Sequence, residues 1–190
     1  MMKKSFKFLE KMPFGIRIEH LWQDKNIPER KILGLLRAAF SGGKGPPLPV
    51  NERWLLWSQD QLLGHAAVQR RWFVVNNKFF EGWLLGGVCI DPNFQGKGLA
   101  NILIKKVLSD LAQKELDFAI LCCDEEKLSG FYQKFGFAKI ADSALYLEEG
   151  KIRTVEGDRT LVIAFSEDFD LDVLRVDPFP FGFDFCWSRD

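Results

Sequence analysis

The sequence predicts an α/β domain: a mixed, mostly antiparallel central sheet with helices on both faces. Three observations predict it. Strand-like segments in the first half are separated by tight turn signals. The last of them leads through Asp91-Pro92-Asn93 into a glycine-bearing turn and an amphipathic helix. Another apolar strand follows that helix, so an antiparallel meander feeds one strand-helix-strand unit.

Residues 15–21 alternate and read as the first strand. Asn26 is placed to cap a helix, with Glu29 completing a capping box and Pro28 in the first turn. That helix runs to about Phe40 and turns Ile32, Leu35, Leu36 and Phe40 inward. It stops at residues 41–47, a Gly/Pro-rich loop. Residues 53–58 form a strand, with a turn near 59–61. Residues 62–75 form a second, longer strand that turns at 76–78, and residues 79–90 form the third. After the amphipathic helix, residues 117–123 read as a strand. Asp124 is placed to cap a helix over 125–135. Residues 137–140 open another strand, and 160–165 form a last apolar one. No internal repeat interrupts this order.

The chain of 190 residues can bury one good core without needing a second. A single domain is therefore expected over residues 1–190, with 1–14 as a mobile start and 166–190 as an acidic, Phe-rich tail. The composition, 47% hydrophobic and 27% charged, is that of a globular protein. A formal net charge of zero argues against a nucleic-acid partner. No apolar run is long enough to span a bilayer, so no membrane association is expected. The start is basic but lacks the long apolar stretch of a secretion signal. Cys89, Cys122, Cys123 and Cys186 show neither paired metal spacing nor a disulfide framework. They read as reduced filler in a cytoplasmic protein, and no metal is expected.

The chemistry concentrates at Gln95-Gly96-Lys97-Gly98-Leu99-Ala100. The helix behind this turn carries Leu99, Ile102, Leu103, Val107 and Leu111 on one face, and Lys105, Lys106 and Asp110 on the other. Glycine lets the backbone approach an anion closely, and the free N–H groups of a helix's first turn point at it. A diphosphate fits there without a lysine contact or a metal. The Walker pattern is excluded, because no Lys-Ser or Lys-Thr follows the glycines. The dinucleotide fingerprint fails for want of a third glycine.

The pattern Gln-x-x-Gly-x-Ala after a strand ending in Asp-Pro is followed some thirty residues later by Phe131-Tyr132-Gln133-Lys134-Phe135-Gly136-Phe137. Together they resemble the GNAT acyltransferase superfamily, which uses acetyl-CoA. Within it the chain looks most like the aminoglycoside 2'-N-acetyltransferase branch, and distantly like the nodulation N-acyltransferases. The likeness extends from about residue 38 to residue 187. It is carried by residues 64–71, by Gly98-Leu99-Ala100, by Gly130-Phe131-Tyr132 and by residues 153–162.

The resemblance implies an acyl-CoA-dependent N-acetyltransferase with acetyl-CoA as cosubstrate. Acetyl would pass by direct attack, in a ternary complex, to a primary amine of a small cationic acceptor such as an aminoglycoside or amino sugar. Val88, Cys89 and Ile90 would offer backbone groups to pantetheine, and Gln95, Gly96, Lys97, Gly98, Leu99 and Ala100 would hold the diphosphate. Tyr132 would protonate the departing thiolate. Glu156 and Asp158 match the branch's acidic turn and would contact substrate, with Asp184 and Trp187 near the end of the chain. A bulge at Gly86-Gly87 would turn a backbone N–H toward the thioester carbonyl.

Departures from the branch leave alternatives open. Gly86 stands where the branch has its glutamate base, and residues 41–47 carry no acid. Substitute bases are Glu81, five residues along the same strand, and His65; Asp124 reads as a cap. The other readings are a CoA-binding module without catalysis, or an acyltransferase with a longer donor. Residues 141–190 hold 12 Asp or Glu against 5 Lys or Arg, a net of −7, which leaves +7 on the first 140. A basic half suits anionic CoA and an acidic edge suits a cationic amine. The alternating Phe179, Phe181, Phe183 and Phe185 read as the wall of an acceptor pocket, a seal on the sheet, or a homodimer contact.

Overall fold

A computed structural model describes residues 15–22, 27–40, 50–124, 128–148 and 151–183. These fall into two compact units, one of residues 15–69 and 85–111, the other of 70–84 and 112–183.

In the first unit, β1 (Ile16–Trp22) runs antiparallel to β2 (Glu52–Ser58), from Ile16↔Ser58 to Trp22↔Glu52. The start of β3 (Gln61–Val75) continues the meander on the other side of β2, with Leu55 opposite His65 and Arg53 opposite Ala67. Side chains alternate between the faces of a strand, so Arg53, Leu55 and His65 share one face, while Glu52 and Trp54 take the other. The first face is covered by α1 (Glu29–Ala39), whose Ile32, Leu35 and Leu36 pack with Leu21, Leu55, Trp57, Leu62 and Cys89. The second meets α2 (Leu99–Leu111), where Asp110 accepts a hydrogen bond from the Trp54 indole at 2.7 Å. Helices therefore cover both faces, and β2 is buried almost throughout. The apolar stripe of α2, from Leu99 through Ile102, Leu103 and Val107 to Leu111, is inward at the three- and four-residue spacing read from the sequence. Pro28 occupies the N-cap of α1 without a side-chain hydrogen bond. The expected Asn26 cap and the loop over 41–47 lie outside the described residues.

In the second unit, the end of β3 turns into β4 (Lys78–Ile90) through Asn76 and Asn77, at φ +49° and +59°. Positive φ at both central residues is what a two-residue hairpin turn demands, and asparagine tolerates it. β5 (Phe118–Asp124) pairs in parallel with β4 at Trp83↔Ala119 and Leu84↔Ile120, and both strands run on beyond these pairs. Next come a π-helical turn at 128–129 and the short α3 (Gly130–Gln133). β6 (Ala138–Glu148) and β7 (Lys151–Ala164) form a hairpin, β7 also pairs antiparallel with β5, and β8 (Phe179–Phe183) lies parallel to β6. The core gathers Phe73, Leu84, Phe118, Ile120, Val162, Leu174 and Phe179.

The eight strands follow the hydrogen-bonded order β1-β2-β3-β4-β5-β7-β6-β8, a mixed and mostly antiparallel sheet as the sequence predicts. Two local expectations are corrected. The acidic turn expected at Glu156–Asp158 is interior to β7, whose β-branched residues, Ile152, Thr154, Val155, Thr160, Val162 and Ile163, suit a strand bonded on both edges. The strand expected to open at 137–140 is β6, which runs on to Glu148. The helix expected to run to residue 135 closes at Gln133, where the N–H groups of Phe135 and Phe137 both turn back to the Tyr132 carbonyl. Phe179, of the tail's alternating aromatics, is fully buried and seals the sheet. Among the described residues, no helix is long and apolar enough to cross a membrane.

Candidate active site

The end of β4 and the head of α2 belong to the first unit, and the chain between them is tied down at each step. The Asp91 N–H donates to the Leu63 carbonyl at 2.8 Å, fixing the strand end against β3. The Asp91 carboxylate accepts from the Asn93 N–H at 2.9 Å and caps a 3-10 turn over Pro92–Phe94. Gln95 Nε2 then donates back to the Ile90 carbonyl at 3.2 Å. The Lys97 ammonium lies 4.7 Å from the centre of the Phe94 ring.

Gly96 and Gly98 follow at φ +74° and +77°. A Cβ at either would meet nothing within 4 Å, so backbone conformation rather than crowding demands glycine here. The space in front of the turn is open. The first bonds of α2 run from the Asn101 and Ile102 N–H groups to the Gly98 carbonyl, at 3.0 and 3.3 Å. The N–H groups of Leu99 and Ala100 precede them at the mouth of a 13-residue helix. Such a loop can take an anion of diphosphate size on backbone donors and the helix dipole.

Upstream on β4, Gly87 adopts φ +59° in mid-strand, a left-handed conformation that glycine takes without strain. Its carbonyl accepts from His65 Nδ1 at 2.7 Å. On the far side of the ring, Arg53 Nη1 donates to His65 Nε2 at 3.2 Å. A carbonyl only accepts and a guanidinium only donates, so the two partners fix a neutral imidazole with its proton on Nδ1. Burial and the Arg53 charge lower the His65 pKa to about 4, against the opposing effect of the Gly87 bond. His65 is thus a satisfied interior histidine and a poor base at neutral pH. Arg53 is itself buried, its pKa is lowered by desolvation, and its Nε has no hydrogen-bond partner among the described residues. Sequence reasoning passed over Arg53. The signal was a cation at the head of the apolar run Trp54-Leu55-Leu56-Trp57, where a charge needs a reason to be.

Val88 is half-buried, while Cys89 and Ile90 are buried. Desolvation pushes the Cys89 thiol up to about 12, partly offset by a backbone hydrogen bond from His65. Val88, Cys89, Ile90 and residues 95–100 therefore stand together in one unit, on one continuous stretch of backbone.

The remaining candidates belong to the second unit. Glu81 forms a two-pronged ion pair with Arg70, at 2.5 and 2.7 Å, which holds its carboxyl below the usual range. Tyr132 is buried in α3, with its ring edge-on to Phe131 and Phe137 at 5.1 and 5.7 Å between centres. Glu156 and Asp158 lie along β7, opposite Ser143 of β6 and Asp124 of β5 respectively. Asp184 and Trp187 lie outside the described residues.

The family model for the acetyltransferase (GNAT) domain matches residues 49–154. No curated protein matches the sequence. Several solved structures share the fold. YhbS of Escherichia coli, a GNAT family N-acetyltransferase in complex with CoA, aligns at TM-score 0.62 and 15% identity, over 92% of this chain and 93% of its own. Escherichia coli ElaA aligns at 0.59 and 20% identity, over 77% of this chain and 98% of its own. A GNAT family acetyltransferase from Brucella melitensis, in complex with acetyl-CoA, aligns at 0.56 and 18% identity, over 81% and 92%. At these identities the structures speak for the fold, and the family match, spanning more than half of the sequence, speaks for descent: the chain belongs to the GNAT acetyltransferase family.

Proposed function

We propose that this protein transfers acetyl from acetyl-CoA to a primary amine of a small cationic acceptor, by direct attack in a ternary complex. The observation that carries the reading is the turn at Gly96 and Gly98, left-handed at both glycines, open in front, and set at the head of α2. The CoA-bound relatives with this fold support acetyl-CoA as the donor.

In this reading the loop N–H groups from Gln95 to Ala100 hold the CoA diphosphate, and the backbone of Val88, Cys89 and Ile90 lines the pantetheine arm. The amine nitrogen adds to the thioester carbonyl. A backbone N–H beside Gly87 receives the negative charge that develops on oxygen. The C–N bond forms, the C–S bond breaks, the thiolate leaves with the proton of the Tyr132 hydroxyl, and the tyrosinate takes a proton back from solvent. The amine's proton passes to solvent, since Gly86 offers no base, Glu81 is held by Arg70, and His65 is neutral with its lone pair on Arg53. Such a reaction favours an acceptor amine already neutral at working pH. The negative charge of residues 141–190, with Glu156 and Asp158 among them, supports a cationic acceptor of the amino-sugar or aminoglycoside kind.

The test is thiol release from acetyl-CoA over a panel of aminoglycosides, polyamines and amino sugars, with Tyr132→Phe alongside. Turnover on one class, falling 10- to 100-fold or about that in the variant, is the expected result. CoA binding without release on any acceptor would leave the fold serving as a CoA-binding module, the reading that Gly86 favours.

A further inference from the structure

The Gly86-Gly87 segment has no side chains with which to hold its own backbone, yet an oxyanion donor is effective only if its direction is set in advance. The structure supplies a holder from the neighbouring strand. His65 is 1% exposed and donates to the Gly87 carbonyl at 2.7 Å. Its ring cannot turn away without losing Arg53, bonded to the opposite nitrogen at 3.2 Å. A trans peptide is planar, so whatever fixes the Gly87 C=O also fixes the Val88 N–H on the other side of the same bond. We propose that His65, steadied by Arg53, is a positioning residue for acyl transfer: by gripping the Gly87 carbonyl it aims the Val88 N–H at the thioester oxygen. The role rests on the acetyl-transfer reading above. It also explains why a histidine lies so deep in this face of the sheet with both nitrogens committed and no part in moving a proton.

Two substitutions separate positioning from space-filling. In His65→Asn the amide nitrogen stands near the place of Nδ1 and keeps a donor for Gly87. In His65→Gln the longer side chain puts its amide near Nε2, toward Arg53, and withdraws that donor. Asparagine leaves the larger void, so a purely structural histidine would make H65N the worse variant. The positioning role predicts the reverse. In H65Q kcat falls about tenfold or more, while KM for acetyl-CoA stays within about threefold. In H65N kcat stays within about threefold of wild type. Equal kcat in H65Q and wild type, or a greater loss in H65N than in H65Q, would overturn the proposal.

A second measurement needs neither turnover nor a variant. In amide NMR of the wild-type protein, Gly96 and Gly98 should respond to CoA, and Val88 should respond further to acetyl-CoA than to CoA. Silence at Gly96 and Gly98 would sink the CoA-site reading and the positioning role with it. A response there with Val88 indifferent to the acetyl group would sink the positioning role alone.

Discussion

Lowering the pH from 7 to 5 should remove about 2 kcal/mol of folding stability through His65 alone. The folded-state pKa is depressed from 6.5 to about 4, chiefly by burial and further by the Arg53 charge. Well above 6.5 the imidazole is neutral both folded and unfolded, and nothing is lost. As pH falls below 6.5 the unfolded chain takes up a proton that the fold refuses, so stability drops until about pH 4 and then levels off. Linkage puts the cost at about 0.2 kcal/mol at neutral pH and about 2 kcal/mol two units lower. Urea unfolding of wild type and H65N at both pH values measures it. Carboxylates that titrate in both proteins cancel in the comparison, so wild type should lose about 2 kcal/mol more than the variant. Equal losses would refute the claim that this histidine is buried in the neutral form.

Gly98→Ala should cost about 1–2 kcal/mol, the strain of a left-handed alanine, because its Cβ meets no neighbour. Its affinity for CoA by calorimetry should fall about tenfold or more, and an unchanged affinity would move the anion elsewhere. Gly82→Ala places a Cβ 2.3 Å from Phe118 Cε2, and that ring is stacked on Phe169 at 5.1 Å with little space to retreat. A loss of about 2–3 kcal/mol in chemical unfolding, partly recovered by adding Phe118→Leu, is expected. Glu81→Gln should leave turnover within about twofold, and a collapse of kcat would instead identify Glu81 as the base.

The helices α1 and α2 were legible because each one's period matches its burial: Leu35 and Leu36 face in on α1, and Leu103 and Val107 on α2. β2, β3 and β4 were legible by the turn signals between them, at 59–61 and 76–78, and not by alternation, since β2 is buried almost throughout. The turn ahead of α2 was legible because left-handed backbone writes itself into the sequence as Gly96 and Gly98. The strand running through Glu156 to Asp158 was not. A Glu-Gly-Asp triplet carries turn chemistry locally, and only the pairing of Glu156 with β6 and of Asp158 with β5 overrides it. β8 was hidden for a similar reason, since Phe179-Pro180-Phe181-Gly182-Phe183 has the proline and glycine of a loop and becomes a strand through its parallel contact with β6. The Arg53–His65–Gly87 chain escaped as well, because it joins residues from three strands whose register no single-strand pattern reveals.

Cys89 has a consequence for how acyl groups are kept from going astray. A thiol on the strand proposed to line the pantetheine arm is a potential rival nucleophile, able to capture the acetyl group by thioester exchange and strand it on the protein. With its pKa pushed up to about 12, only about one molecule in 100,000 would carry the reactive thiolate at neutral pH. The same burial that makes Cys89 part of the core under α1 thus renders it chemically silent. An enzyme that passes acetyl directly to its acceptor gains from that silence, since a covalent detour through this thiol would be a dead end.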